Sequence, residues 1–134
     1  MVNFKIMVVE DNLIFALDLQ SKMESWGYTV GPVISSGEDA IAESFQEKPD
    51  LIIMDIGIKG ELNGVETAQE IMKLHIPLIY VTGQGDGAVI TEAAKTEPYA
   101  IFKKPVDYDV LEHKIRSALE FKMKKEQDEG DLIG

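Results

Sequence analysis

The sequence predicts an α/β fold: a five-stranded parallel sheet in the order 2-1-3-4-5, doubly wound with five helices. Three observations predict it. Short apolar runs alternate five times with stretches of helical periodicity. The first, third and fourth runs are the most apolar, as central strands covered on both faces must be. The second and fifth are weaker and belong at the edges, and right-handed crossovers then favour this order.

The first strand is "FKIMVV", residues 4–9. Phe15, Leu19, Met23 and Trp26 then recur on one face of a helix from about residue 12 to 26, which Gly27 stops. The second strand is "YTVGPVI", residues 28–34, placed at an edge because Pro32 cannot donate to a ladder. Ser36 with Asp39 opens the second helix in the manner of a capping box, and Asn63 with Glu66 does the same for "GVETAQEIMKL". Between them "LIIM", residues 51–54, is a buried strand. "PLIYVT", 77–82, is the fourth strand, and a helix over roughly 86–96 follows the loose "GQGDG". "YAIF", 99–102, is the last strand. The last helix starts near Asp107 with Leu111, Ile115 and Leu119 on one stripe, which Phe121 and Met123 fall outside. Residues 1–126 read as one domain, and 127–134 as a disordered tail or the start of a linker.

The 134 residues fit one domain with a real core. With 13 Lys+Arg against 24 Asp+Glu the formal charge is −11, which disfavours direct binding to nucleic acid or anionic lipid. There is no cysteine, which suits a reducing cytoplasm and excludes thiolate metal sites. No apolar run approaches membrane-spanning length, and the N-terminus reads as a strand, not as a signal peptide.

In this strand order the winding reverses between strands 1 and 3, and open α/β sheets bind ligands at the carboxyl ends beside such a point. Strand 1 ends in Glu10-Asp11 and strand 3 in Asp55. Three carboxylates in one crevice repel, and a hard cation such as Mg²⁺ removes the conflict. Gly57 lets the backbone turn close by, where its carbonyl offers one more oxygen. Strand 4 ends in Thr82 with the small Gly83 after it, and strand 5 leads to Lys104-Pro105. A hydroxyl and an ammonium beside a metal would stabilise a phosphoryl group. Opposite charge draws Lys104 toward Asp55.

Taken singly, these residues have plainer readings. Glu10-Asp11 could cap the first helix, Thr82 could close a strand, and Lys104 could be solvated like its neighbour Lys103. "GQGDG" lacks the Lys-Ser/Thr that a P-loop needs and reads as a flexible loop. His75 and His113 are expected to be exposed.

Together, "VVEDN", "LIIMDIGIKGELNG", "IYVTG" and "KKP" resemble the receiver domain of bacterial and archaeal response regulators over roughly residues 4–122. The resemblance implies a phosphorylation-dependent switch that takes a phosphoryl group from a histidine kinase onto Asp55, with Mg²⁺. It implies that Asp11 binds the metal directly, Glu10 largely through water, and Gly57 through its carbonyl. It implies that Thr82 and Lys104 meet the phosphoryl group, with the backbone of Ile56 and Gly83 beside it and a cis Lys104–Pro105 bond. Gly57 and Gln84 stand where the family sets phosphate lifetime. One departure is that Ile101 replaces the usual aromatic of the switch. Tyr99 is read on the same strand face as Ile101, and Phe102 on the other.

The implied output is a change in the face of helix 4, strand 5 and helix 5. That face would meet a downstream protein, an absent output domain or a second copy in a homodimer. Self-catalysed phosphotransfer and autodephosphorylation would be its only reactions. The rivals are a Mg²⁺-dependent phosphohydrolase with an aspartyl nucleophile, which would need a second acid where Gly57 stands, a flavodoxin-like mononucleotide module, and a pseudo-receiver that is not phosphorylated.

Overall fold

The computed structural model describes residues 3–83 and 87–133. Five strands, β1 (Lys5–Val9), β2 (Thr29–Val30), β3 (Leu51–Asp55), β4 (Leu78–Thr82) and β5 (Ala100–Lys103), form one parallel sheet in the order β2-β1-β3-β4-β5. Five helices connect and follow them: α1 (Leu13–Ser25), α2 (Gly37–Glu47), α3 (Gly64–Ile71), α4 (Gly87–Ala94) and α5 (Tyr108–Ile133). A 3-10 turn, Met72–Leu74, extends α3.

Alternation along each strand sends side chains to two cores. Ile6, Val8, Leu51, Ile53, Ile79 and Val81 pack against α1 and α5 through Leu19, Met23, Leu111 and Ile115. Met7, Val9, Ile52, Met54, Leu78 and Tyr80 face α2, α3 and α4 through Ala40, Ala68, Ile71 and Ala93. β3 and β4 are buried at every residue, which is why their sequences read as continuous apolar runs.

Three expectations change. The second strand is shorter than 28–34: pairing stops after Val30, and only Ile34 rejoins, as an isolated bridge to Val9. Gly31 and Pro32 interrupt it, because proline has no N–H for the ladder. Tyr99 precedes β5 instead of sharing its face with Ile101, and its ring lies 6.3 Å from that of Phe121 on α5. Phe102 does face the opposite core from Ile101. Residues 127–133, expected as a disordered tail or the start of a linker, continue α5 as helix. In the preceding turn Lys122 pairs with Asp50 at 3.2 Å and with Glu126, one turn on, at 2.9 Å.

Candidate functional site

β1 and β3 are neighbours, with Val9 opposite Met54, so the acids at their ends meet at one edge of the sheet. Oxygens of Glu10, Asp11 and Asp55 all lie within 4.8 Å of one another. Glu10 is only 1% exposed and Asp55 7%, whereas Asp11 faces solvent. Each carboxylate accepts a backbone N–H: from Asn12 to Glu10 at 3.1 Å, from Lys59 to Asp11 at 3.1 Å, and from Gly57 to Asp55 at 3.0 Å. The acids are therefore held in place by the main chain, not merely gathered.

The cap of α1 is Asn12, whose side chain accepts from Phe15 N–H at 3.2 Å. Glu10 and Asp11 are thus free of the capping role that would have explained them away.

β4 and β5 bring Thr82 and Lys104 to the same edge. Thr82 is buried, and its carbonyl accepts from Lys104 N–H at 2.8 Å. The Lys104–Pro105 bond is cis, as the resemblance implied. Lys104 Nζ lies 2.6 Å from Glu10 Oε1 and 3.8 Å from Asp55 Oδ2, over the ring of Phe15. The lysine is beside Asp55 as expected, but Glu10 is its nearer partner.

Burial pushes the Glu10 carboxyl up to about 7. The Lys104 ammonium and the Asn12 N–H pull it down, and neighbouring Asp55 pushes it up again. A buried acid that resists ionisation beside two others is the conflict a divalent cation relieves. The donors are all oxygens, which suits Mg²⁺. Glu10, Asp11 and Asp55 are the residues that would hold it.

After β3 the neighbouring N–H groups of Ile56 and Gly57 take different partners. Ile56 N–H is engaged with the Val81 carbonyl at 3.2 Å, in line with the sheet ladder. The backbone N–H that faces the Asp55 carboxylate is that of Gly57. Beside Gly83 the space is open, since an added Cβ would meet only Lys104 Cδ, at 3.9 Å. Ile101 is half-buried on β5, packed against the core of α2, α3 and α4. Gln84 lies outside the described residues. His75 and His113 are exposed, as expected.

Sequence reasoning missed two residues. Gly64 opens α3 directly against the end of β3, and a Cβ there would come within 2.4 Å of the Asp55 carbonyl oxygen. The signal was a glycine, a poor helix former, in the first turn of a capped helix. Lys59 lines the same open cleft of about 670 Å³ as Glu10, Asp11, Asp55 and Lys104. Nothing in the sequence separates it from a solvated loop lysine.

The family model for the response regulator receiver domain matches residues 6–116. Among curated proteins, the chain is 31% identical over 119 residues to the transcriptional regulatory protein ZraR of Escherichia coli (strain K12), covering 87% of this chain and 26% of that protein. It is 28% identical over 103 residues to the chemotaxis protein CheY of Thermotoga maritima, covering 75% of this chain and 85% of that protein. The chain thus spans about a quarter of the ZraR length. Among solved structures, the signal receiver domain of a modulated diguanylate cyclase from Desulfovibrio desulfuricans G20 superposes with a TM-score of 0.87 at 31% identity, covering 92% of this chain and 99% of that one. Receiver domains are in general switches and not enzymes; they typically bind Mg²⁺ in an acidic pocket and work with histidine kinases and output domains. No helix among the described residues is long and apolar enough to cross a membrane. Such a match along most of the chain means that it belongs to the response regulator receiver family, the phosphoacceptor signalling switches of two-component systems.

Proposed function

We propose that Asp55 is the phosphoacceptor and that Lys104 and Thr82 read its state. The observation that carries this reading is the convergence of Lys104, Glu10 and Asp55 at one strand edge, with Asp55 held by the Gly57 N–H. A carboxylate oxygen of Asp55 attacks the phosphorus of a phosphohistidine, the P–N bond breaks, and the imidazole leaves with the electron pair and takes a proton. Glu10, Asp11, Asp55 and the Gly57 carbonyl would hold Mg²⁺, which would supply charge neutralisation for the phosphoryl oxygens. Lys104 pairs with one phosphoryl oxygen, Thr82 donates to another, and the N–H groups of Gly57 and Gly83 border the group.

The change passes from Thr82 through Gly83 to α4, β5 and α5, the face that meets a downstream protein, an output domain or a second copy. With Ile101 in place of an aromatic, the signal travels as a backbone shift, not as a ring swing. The protein has no substrate turnover beyond its own phosphorylation and dephosphorylation. It acts in the cytoplasm with a histidine kinase, and its receiver unit ends near residue 126.

Intact mass after incubation with acetyl phosphate and Mg²⁺ tests the reading. The wild-type protein should gain one phosphoryl group and Asp55→Asn none. Equal uptake by Asp55→Asn, or uptake by neither, overturns the assignment.

A further inference from the structure

The cleft presents a difficulty for its own chemistry. Three carboxylates line it against two lysines, Lys59 and Lys104, and Lys104 is held by Glu10 on the inner side. An incoming phosphodonor is an anion and meets this field before it meets Asp55. Lys59 makes no ion pair among the described residues, although its own N–H donates to Asp11. Its backbone is fixed on both sides: Ile58 is buried, and Gly60 turns the chain with φ +126°. A lysine with no ion pair among the described residues therefore rises from a fixed point of the backbone on the rim of an acidic cleft.

We infer that Lys59 recruits the phosphodonor, drawing its anionic phosphoryl group past the carboxylates to Asp55. The inference rests on Asp55 being the phosphoacceptor. Lys59 takes no part in bond making; Lys104 and Thr82 meet the phosphoryl group once it is bound. Its contribution is long-range attraction from an exposed charge, which salt screens. It acts on donor affinity and leaves the transfer step to the inner residues.

The test compares wild type, Lys59→Met and Lys59→Arg in the full chain with Mg²⁺, following intact mass against time over a range of acetyl phosphate concentrations. At low ionic strength Lys59→Met should raise the half-saturating donor concentration about three- to tenfold, with a much smaller change in the saturating rate. The gap should close as salt is added, and Lys59→Arg should restore wild-type behaviour. Mg²⁺ affinity should not fall in Lys59→Met, because the backbone N–H to Asp11 is kept. A Lys59→Met protein that matches wild type at low salt overturns the inference. So does a loss that is independent of salt and sits in the saturating rate, the mark of a structural role. In either case a phosphorylated wild type leaves the Asp55 reading intact, whereas a wild type that takes no phosphoryl group ends both.

Discussion

Lys104 Nζ sits 2.6 Å from Glu10 Oε1, closer than to the Asp55 carboxylate at 3.8 Å. Lys104 thus rests on the buried acid that follows β1, one strand away from Asp55, the proposed phosphoacceptor. Under the proposed function, phosphorylation of Asp55 would draw Lys104 from Glu10 toward the new phosphoryl oxygens.

Removing the ammonium leaves Glu10 buried without its cation. Lys104→Met should stay folded but lose about 1–3 kcal/mol at neutral pH by chemical denaturation, because Glu10 can take up a proton and cap the cost. Beryllofluoride, a phosphoryl mimic, should move the amide resonances of Gly83 and residues 87–90 in wild type and not in Lys104→Met. Equal shifts in both proteins would remove Lys104 from the coupling.

Glu10 sets a pH dependence with a definite sign. Its carboxyl is raised from an ordinary 4.5 to about 7 in the fold, chiefly by burial. Across that window the folded state keeps a proton that the unfolded chain has released. Its contribution is fully present below 4.5 and lost as pH rises through about 7. With metal chelated, urea midpoints of wild type should therefore fall, relative to Glu10→Gln, between about pH 5 and about pH 8. Parallel profiles for the two proteins would contradict the assigned environment of Glu10.

Asp11 is the exposed acid of the three and the one with least steric bar to a direct metal bond. Asp11→Ala should weaken Mg²⁺ binding by tenfold or more, about 1.4 kcal/mol or above, and Glu10→Gln by less. The amides of Gly57 and Lys59, which donate to Asp55 and Asp11, are the natural reporters. Trp26 is a poor one, since it caps the far end of α1 beside Tyr108. Unchanged affinity in Asp11→Ala would be incompatible with this metal site.

Gly64 holds the floor of the site. Gly64→Ala places a Cβ 2.4 Å from the Asp55 carbonyl oxygen and 2.7 Å from Ile56 Cα, both main chain, so β3 or α3 must shift. A loss of about 1–3 kcal/mol and slower phosphorylation are expected. Gly87→Ala, where nothing lies within 4 Å, serves as the control and should cost nothing measurable in denaturation. A silent Gly64→Ala would mean that the end of β3 is softer than its packing implies.

The fold was legible because β1, β3 and β4 are buried on both faces, and only apolar runs survive there. Strand ends then located Glu10, Asp11, Asp55, Thr82 and Lys104 without any knowledge of distance. Pairing preference was not legible: that Lys104 would choose Glu10 over Asp55 depends on ångström-level placement of an ammonium between two acids. Nor was the hydrogen-bond ledger of the loop after β3, where Ile56 is spent on the sheet and Gly57 faces the carboxylate. The persistence of α5 escaped notice because residues 127–133 lose apolar periodicity; the Lys122 pairs with Asp50 and Glu126 that steady the preceding turn are long-range or polar and leave no such pattern.

Chemical trapping shows whether the phosphoryl group resides on Asp55. Borohydride reduces an aspartyl phosphate to homoserine, which peptide mass spectrometry can place in the chain. After phosphorylation with acetyl phosphate and Mg²⁺, homoserine is expected at position 55 and nowhere else. Reduction at Glu10 or Asp11, or a phosphorylated protein with no reduced acid at 55, would contradict the account.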